Sequence, residues 1–371
     1  MSDKIYKLLI INPGSTSTKI SVFENEKMLF ERSLFHDSSE LLRYTHVNDQ
    51  LPFRYAVMMD MLKAESIDPS SMDAVVGRGG SACTQPSGIT VIDQKLVDDT
   101  VATVGGSEHS AKLGVMMAWE FAKEYHVPAY TLDPTNVDEF GELARLTGIK
   151  GIYRKSHSHF LNQRAVAKHH ARVLGRPLEE CSFIVAHIDG GVTVGAHYHG
   201  KMIDGCMGAD GEGPFSPTRI GYVPTLPLLD YLETHTMDEV RLKCSRAGGF
   251  VEFFGTSNAE TVHGLVEQGD RKAQIVWNTM IYQISKCIGE MSAVLCGKVD
   301  AILLTGGLVR FSDIVNGIYE RCGFIAPVVV YPGEMEQDAL ALPALRVLRG
   351  EETPRIYSGK NVWDGFEGLD L

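Results

Sequence analysis

The 371 residues carry 35 Lys plus Arg against 47 Asp plus Glu, a formal net charge of −12. An acidic surface excludes a protein whose main work is gripping nucleic acid or an anionic membrane, since both need basic faces; a small anion needs only a local cluster of cations. The length exceeds one comfortable core and sets two domains as the expectation.

In chain order, Tyr6 to Asn12 is apolar and β-prone, breaks at NPGSTST and resumes over Lys19 to Phe23, which predicts a hairpin with a turn rich in glycine and hydroxyls. A third strand is expected over Met28 to Phe35. A helix is expected to open at Ser38 and run through Leu51 to Ala64 in one or two pieces. Met72 to Val76 reads as a buried strand ending in GRGG, and a strand pair is expected near Gly88 to Asp93. Ala111 to Tyr125 has helical periodicity, and Pro128 to Leu132 reads as a strand ending in LDPT.

Val137 to Thr147 and Ser156 to Leu174 look helical. Phe183 to His187 is a strand that breaks at HIDGG and resumes over Val192 to Tyr198. A long helix over Ala273 to Leu295 precedes a buried strand, Val299 to Leu304, that runs into TGGL. Val328 to Tyr331 is the last strand. Gln337 to Arg349 is the last helix, with Pro343 predicting a kink or two pieces because it removes a donor. The tail after Gly350 reads as an irregular surface segment.

The N-terminal MSDKIYK is charged, without an apolar stretch of signal-peptide length, and no apolar run approaches the roughly 18 residues of a membrane helix. The seven scattered cysteines form no CxxC pair, so reduced thiols in the cytoplasm are the expectation.

Strand, polar turn and strand occur at Leu8 to Phe23 and again at Phe183 to Tyr198, about half the chain apart. This predicts an internal duplication: two related α/β domains facing a cleft. The turn Asn12, Pro13, Gly14, Ser15, Thr16, Ser17, Thr18, Lys19 gathers N–H and hydroxyl donors beside a cation, as a phosphate cradle does, although a plain capped hairpin turn has the same composition. It is not the GxxxxGK[ST] loop. His187 to Gly191 and Thr305 to Leu308 place paired glycines at strand ends, where phosphates dock in open α/β sheets.

Arg78 and Arg219 sit on short loops between turn residues, which suits bidentate binding of a carboxylate or phosphoryl group. Asp133, at a strand end, suits Mg²⁺ or its water shell. Glu336 opens the last helix, where a carboxylate also complements the helix dipole. His109 and His159 are open between structural and functional roles. His197 and His199 lack a third ligand and read as non-metal.

Taken together, NPGSTSTK, VGRGG, EHSAKLG, HIDGG, DGEGPFSPTRIG, LLTGGL and PGEMEQDALALPALRVLRG resemble the butyrate kinase branch of the acetate/propionate/butyrate kinase family, from about Leu8 to Gly350. The resemblance implies two duplicated actin-like ATPase (ribonuclease H-like) domains facing an interdomain cleft: 1–136 with 337–371 on the acyl side and 137–336 on the nucleotide side. It implies reversible phosphoryl transfer between ATP and a short-chain carboxylate, giving an acyl phosphate and ADP with Mg²⁺, in a cytoplasmic homodimer without nucleic-acid or membrane partners.

By the same resemblance, Asn12, Asp133 and Glu336 form the metal site. Gly14, Ser15, Ser17, Lys19, His187, Gly190, Gly191, Gly306 and Gly307 bind the nucleotide with Asn12. Arg78 holds the acyl substrate, Arg219 stabilises the transferring phosphoryl group, and His109 and His159 lie near the reaction.

Three departures stand out. Asp189 replaces the first glycine of the second phosphate loop. Lys155 stands where the acetate kinases have the first histidine of HGTSH. Thr256 to Glu260 reads TSNAE where the family has TSDAR. Alternatives kept open are an ATP-binding regulator or clamp disabled by Asp189, an acetate or propionate kinase, and a sugar kinase of the same fold.

Overall fold

The computed structural model describes residues 4–14, 16–41, 43–105 and 110–371, so Ser15 and His109 lie outside the described residues. The chain divides into two compact units: Met1–Asp138 with Met335–Glu367, and Glu139–Glu334 with Gly368–Leu371.

In unit 1, β1 (Lys7–Pro13), β2 (Ser17–Glu24) and β3 (Lys27–Phe35) form an antiparallel meander. The strands reach further into the polar motif than the sequence suggests: Pro13 pairs with Thr18, and β2 begins at Ser17. β4 (Ala74–Gly77) lies parallel to β1. In place of the expected strand pair near Gly88 there is a single strand, β5 (Ile89–Val91), antiparallel to β6 (Ala129–Leu132). Its free side is taken by the C-terminal tail, where Val91 N–H donates to Arg355 O at 2.9 Å and Arg355 N–H to Ile89 O at 2.8 Å. The sheet order is β3-β2-β1-β4-β6-β5.

Unit 2 repeats this plan. β7 (Ser182–Ile188), β8 (Val192–Tyr198) and β9 (Lys201–Cys206) form the meander, β10 (Ala301–Gly306) lies parallel to β7, and β11 (Val328–Pro332) lies parallel to β10. The order β11-β10-β7-β8-β9 is the unit 1 order read from the other edge, without a counterpart of β5. The expected duplication is therefore present in strand order.

Each sheet is covered by amphipathic helices over its own core. In unit 2 the helix Arg271–Val294 buries Ala273, Trp277, Met280, Ile284, Cys287, Ile288 and Met291, spaced three and four apart, and Asp270 caps it by accepting from Ala273 N–H at 2.7 Å. In unit 1 the helix Lys112–Tyr125 buries Leu113, Met117 and Phe121 against β4 and β6.

Several elements depart from expectation. The helix Gln94–Val101, capped by Asp93 at 2.8 Å from Leu96 N–H, and strand β9 are additional. No α-helix forms over Val137 to Thr147, only a 3₁₀ turn at Glu142–Ala144. The backbone there is committed elsewhere: Asp138 N–H donates to Gln85 O in unit 1, Gly141 N–H donates to Ile203 O in unit 2, and buried Arg145 donates to Phe140 O. The last helix, Glu336–Leu348, runs unbroken through Pro343. The tail is irregular but anchored. Tyr357 is buried and donates to Asp99 Oδ2 at 2.8 Å while accepting from Cys83 N–H at 3.0 Å. No helix among the described residues is long and apolar enough to cross a membrane.

Candidate active site

In unit 1 the register Ile11↔Gly77 and Val76↔Tyr130 puts Asn12, Arg78 and Asp133 at the C-terminal ends of three neighbouring parallel strands. That edge is where ligands bind in open α/β sheets. Glu336 reaches the same edge from the first turn of its helix and is 2% exposed. Its Oε2 accepts from Asn12 Nδ2 at 2.7 Å and from Arg78 Nη1 at 3.0 Å, and Arg78 Nη1 also reaches Asn12 Oδ1 at 3.2 Å. Glu336 Oε1 and Arg78 Nε are buried and make no hydrogen bond. A buried carboxylate oxygen without a donor is costly unless a ligand meets it, and a hard cation is the natural one. The residues present therefore fit Mg²⁺ at Glu336 and Asn12.

Asp133 is buried with φ +39°, a strained conformation for a residue other than glycine, and its Oδ1 accepts from Gly88 N–H at 2.7 Å. Lys19 pairs with Asn12 across the β1–β2 ladder, so both side chains project from the same face.

The unit 1 turn is held from behind by Arg54, which is fully buried on the helix Leu51–Ala64. Its Nη1 donates to Gly14 O at 2.9 Å, Ser17 O at 3.0 Å and Thr18 Oγ1 at 3.2 Å. Gly14 N–H also donates to Ser17 O at 2.8 Å, and Thr16 O accepts from His36 N–H at 2.9 Å. Carbonyls drawn inward are what an anion-binding turn requires, because an outward carbonyl repels phosphate. Burial pulls Arg54 down to about 10. His36 Nε2 lies 2.8 Å from Thr18 Oγ1, and burial, reinforced by the Arg54 charge, pulls His36 down to about 4.

In unit 2 the structure brings together His159, His187, Gly191 and Arg219. The two imidazoles stack with centroids 4.1 Å apart. Asn162 Nδ2 donates to Thr305 Oγ1 at 3.1 Å and reaches His187 Nδ1 at 2.9 Å, which makes Nδ1 the acceptor and leaves the ring proton on Nε2. His159 Nδ1 lies 3.0 Å from Thr193 Oγ1, which also accepts from Gln163 Nε2 at 2.8 Å.

Gly191 is required by close approach: a Cβ there would sit 2.7 Å from Arg219 Nη1 and 3.1 Å from His159 Cε1. Arg219 Nε donates to Ser245 O at 3.4 Å, and burial lowers its pKa against the opposing Asp210 charge. The FSPTR segment holds the glycine turn, since Gly190 O accepts from Ser216 Oγ at 2.9 Å and from Thr218 N at 3.2 Å and Oγ1 at 2.8 Å. At the TGG turn, Gly306 has φ +98°, and a Cβ there would lie 2.4 Å from Ile188 O.

The three departures take definite places. Asp189 joins the two glycine turns, its Oδ1 accepting from Gly190 N–H at 2.8 Å and its Oδ2 from Gly307 N–H at 2.6 Å. Lys155 is exposed; His157, two residues on, is half-buried and is held below its ordinary value by burial and by Arg219, against Asp210. Asn258 caps the helix Ala259–Glu267, and Glu260 pairs with Arg310, whose Nη1 donates to Gly307 O at 2.7 Å.

A model of the acetokinase family matches residues 144–320. The chain is 44% identical over 355 residues to butyrate kinase 1 of Clostridium acetobutylicum, covering 95% of this chain and 100% of that protein. The chain belongs to the acetokinase family. It is also 44% identical over 354 residues to a probable butyrate kinase of Clostridium botulinum, covering 95% and 99%. Its structure is similar to acetate kinase from Porphyromonas gingivalis (TM-score 0.74, 18% identity, 92% and 100% covered) and to acetate kinase from Entamoeba histolytica (TM-score 0.71, 16% identity, 90% and 97% covered). The fold is thus that of the acetokinases, two actin-like ATPase domains.

Sequence reading passed over Arg54, His36, Asn162 and Glu334. Glu334 is exposed, and its carboxylate lies within 4.8 Å of ligand atoms of His187 and Asp189. The two acids spaced two apart in PGEMEQ were a visible signal for it; Arg54 and Asn162 left none, because their partners are distant in sequence.

Proposed function

We propose that this acetokinase-family protein is a short-chain fatty-acid kinase that moves a phosphoryl group reversibly between ATP and butyrate, or a similar short or branched carboxylate, giving butyryl phosphate and ADP. The observation that carries the reading is the buried Glu336 carboxylate, with one oxygen bonded by Asn12 and Arg78 and the other without a donor. The 44% identity to butyrate kinases supports it.

The chemistry follows from the nucleophile. A carboxylic acid is ionised at neutral pH, given a reference pKa of about 4, so no general base is needed. Asp133, already accepting from Gly88 N–H, then serves to orient rather than to abstract a proton. Arg78 is anchored through Nη1 and offers its remaining nitrogens to the substrate carboxylate. In unit 2, Arg219 and the imidazoles of His159 and His187 meet the phosphoryl oxygens as charge builds on the leaving phosphate, and the glycine turns hold the remaining phosphates. Mg²⁺ bound at Glu336 and Asn12 would neutralise phosphate charge. Catalysis is positioning and charge complementarity.

The test is a panel of acetate, propionate, butyrate, isobutyrate and valerate with ATP, trapping acyl phosphate as the hydroxamate, with polyols in parallel. Hydroxamate is expected from butyrate or a near homologue. Phosphorylation of a polyol alone would overturn the reading in favour of a sugar kinase; ATP binding without any product would favour a regulator.

A further inference from the structure

We propose that the Asp189 carboxylate is an internal anion seated in the phosphate position of the unit 2 glycine turns, which a nucleotide phosphate must displace. The inference rests on the reading of these turns as the nucleotide site. Asp189 Oδ2 accepts from Gly307 N–H at 2.6 Å and Oδ1 from Gly190 N–H at 2.8 Å, so one carboxylate spans both turns as a phosphate would.

The Gly307 donor does not depend on Asp189 for its direction. The carbonyl of the same peptide, Gly306 O, accepts from Gly333 N–H at 3.0 Å, which turns the Gly307 N–H to the opposite side. Likewise, Gly190 O is fixed by Ser216 and Thr218, which aims the Gly191 N–H away from them. The Arg310–Glu260 pair anchors the far side of Gly307 through Gly307 O. Two amides are therefore pre-set for an anion, and one is already filled by the protein's own carboxylate.

The surroundings favour this over a cation cage. His187, Asp189 and Glu334 bring ligand atoms within 4.8 Å of one another, but Asn162 occupies His187 Nδ1 and the proton sits on Nε2, so the ring offers a donor and no lone pair. What remains is two carboxylates beside an anion site. Their charge opposes an incoming phosphate, and Asp189 competes with it directly for the Gly307 N–H.

The decisive measurement is calorimetric binding of ADP and ATP, in EDTA and again with Mg²⁺, to the full chain and to its Asp189→Gly and Asp189→Asn variants. Asp189→Gly is expected to bind free nucleotide about tenfold tighter. Asp189→Asn keeps the size and one acceptor and is expected to fall between. A gain in affinity is not what loss of a structural contact produces, and thermal melts of each variant establish folding. Affinity that is unchanged or weaker in both variants overturns the proposal. Binding that weakens only when Mg²⁺ is present also overturns it, because Asp189 would then be a metal ligand. Tighter nucleotide binding by a chain that makes no acyl hydroxamate would leave this inference standing and remove the kinase reading; acyl hydroxamate from the unmodified chain, with no tightening in the variants, would do the reverse.

Discussion

In the unit 1 turn the carbonyls of Gly14 and Ser17 are held by the buried guanidinium of Arg54, whereas in the unit 2 turns the Gly190 and Gly307 N–H groups are held by the Asp189 carboxylate. The unit 1 turn and the Gly190 turn each join the first two strands of the same meander in sheets of matching order, whereas Gly307 follows β10. A duplicated hairpin has thus been stabilised by opposite charges on opposite poles of its peptides. Gly190 O is held as well, by Ser216 and Thr218, so the difference lies in the amides, two of which Asp189 fills in unit 2. The contrast teaches that two turns of equal topology need not be equally ready for a ligand.

The largest expected effect tests the outer side of the unit 2 turn. Arg219→Ala should lower kcat by about 10²–10³, or roughly 3–4 kcal/mol of transition-state stabilisation, with the fold intact. Turnover within threefold of the unmodified enzyme would break the assignment of phosphoryl chemistry to this turn. Next in size is Arg54→Leu, which takes the guanidinium donor from Gly14 O, Ser17 O and Thr18 Oγ1 in the unit 1 core and leaves Ser17 O to Gly14 N–H and Thr18 Oγ1 to His36. A loss of about 3 kcal/mol in urea unfolding is expected, and a loss under 1 kcal/mol would show that the turn does not rely on the guanidinium.

The smallest effect is a pH dependence. His36 has a folded pKa of about 4, below the ordinary 6.5, because burial disfavours its cation and Arg54 repels it. The unfolded chain therefore takes up its proton first. The contribution of His36 is fully present above about pH 6.5, is lost as pH falls toward 4, and changes no further below that. In unit 2, His197 donates to Gln163 Oε1 and is pulled down to about 3 by burial, so it acts in the same direction over a longer window. Urea midpoints from pH 7 to 4 should fall less steeply in His36→Gln; an unchanged slope would assign the whole dependence to unit 2.

Much of the strand framework was legible because buried parallel strands are apolar runs bounded by turns: β1, β7, β10 and β11 announce themselves this way. β9 did not, because Lys201, Asp204 and Gly205 break its alternation and its pairing with β8 shifts register between Ala196 and His197. Val137 to Thr147 had helical spacing, yet its amides found partners outside any helix. In the site, sequence pointed to Asn12, Arg78 and Glu336 separately; that they share one carboxylate oxygen is a fact of strand order and of where the last helix begins.

By itself the sequence determined where glycines, hydroxyls and cations would punctuate the strands, since those choices are local and follow from backbone freedom and donor chemistry. It also exposed Asp189 as an acid among glycines. Only the tertiary structure decided what that acid does. Its second partner, Gly307, is 118 residues away, as the carbonyls held by Arg54 are 37 and 40 away. Contacts at such separation are set by how strands are ordered in a sheet, and no periodicity within a segment encodes them.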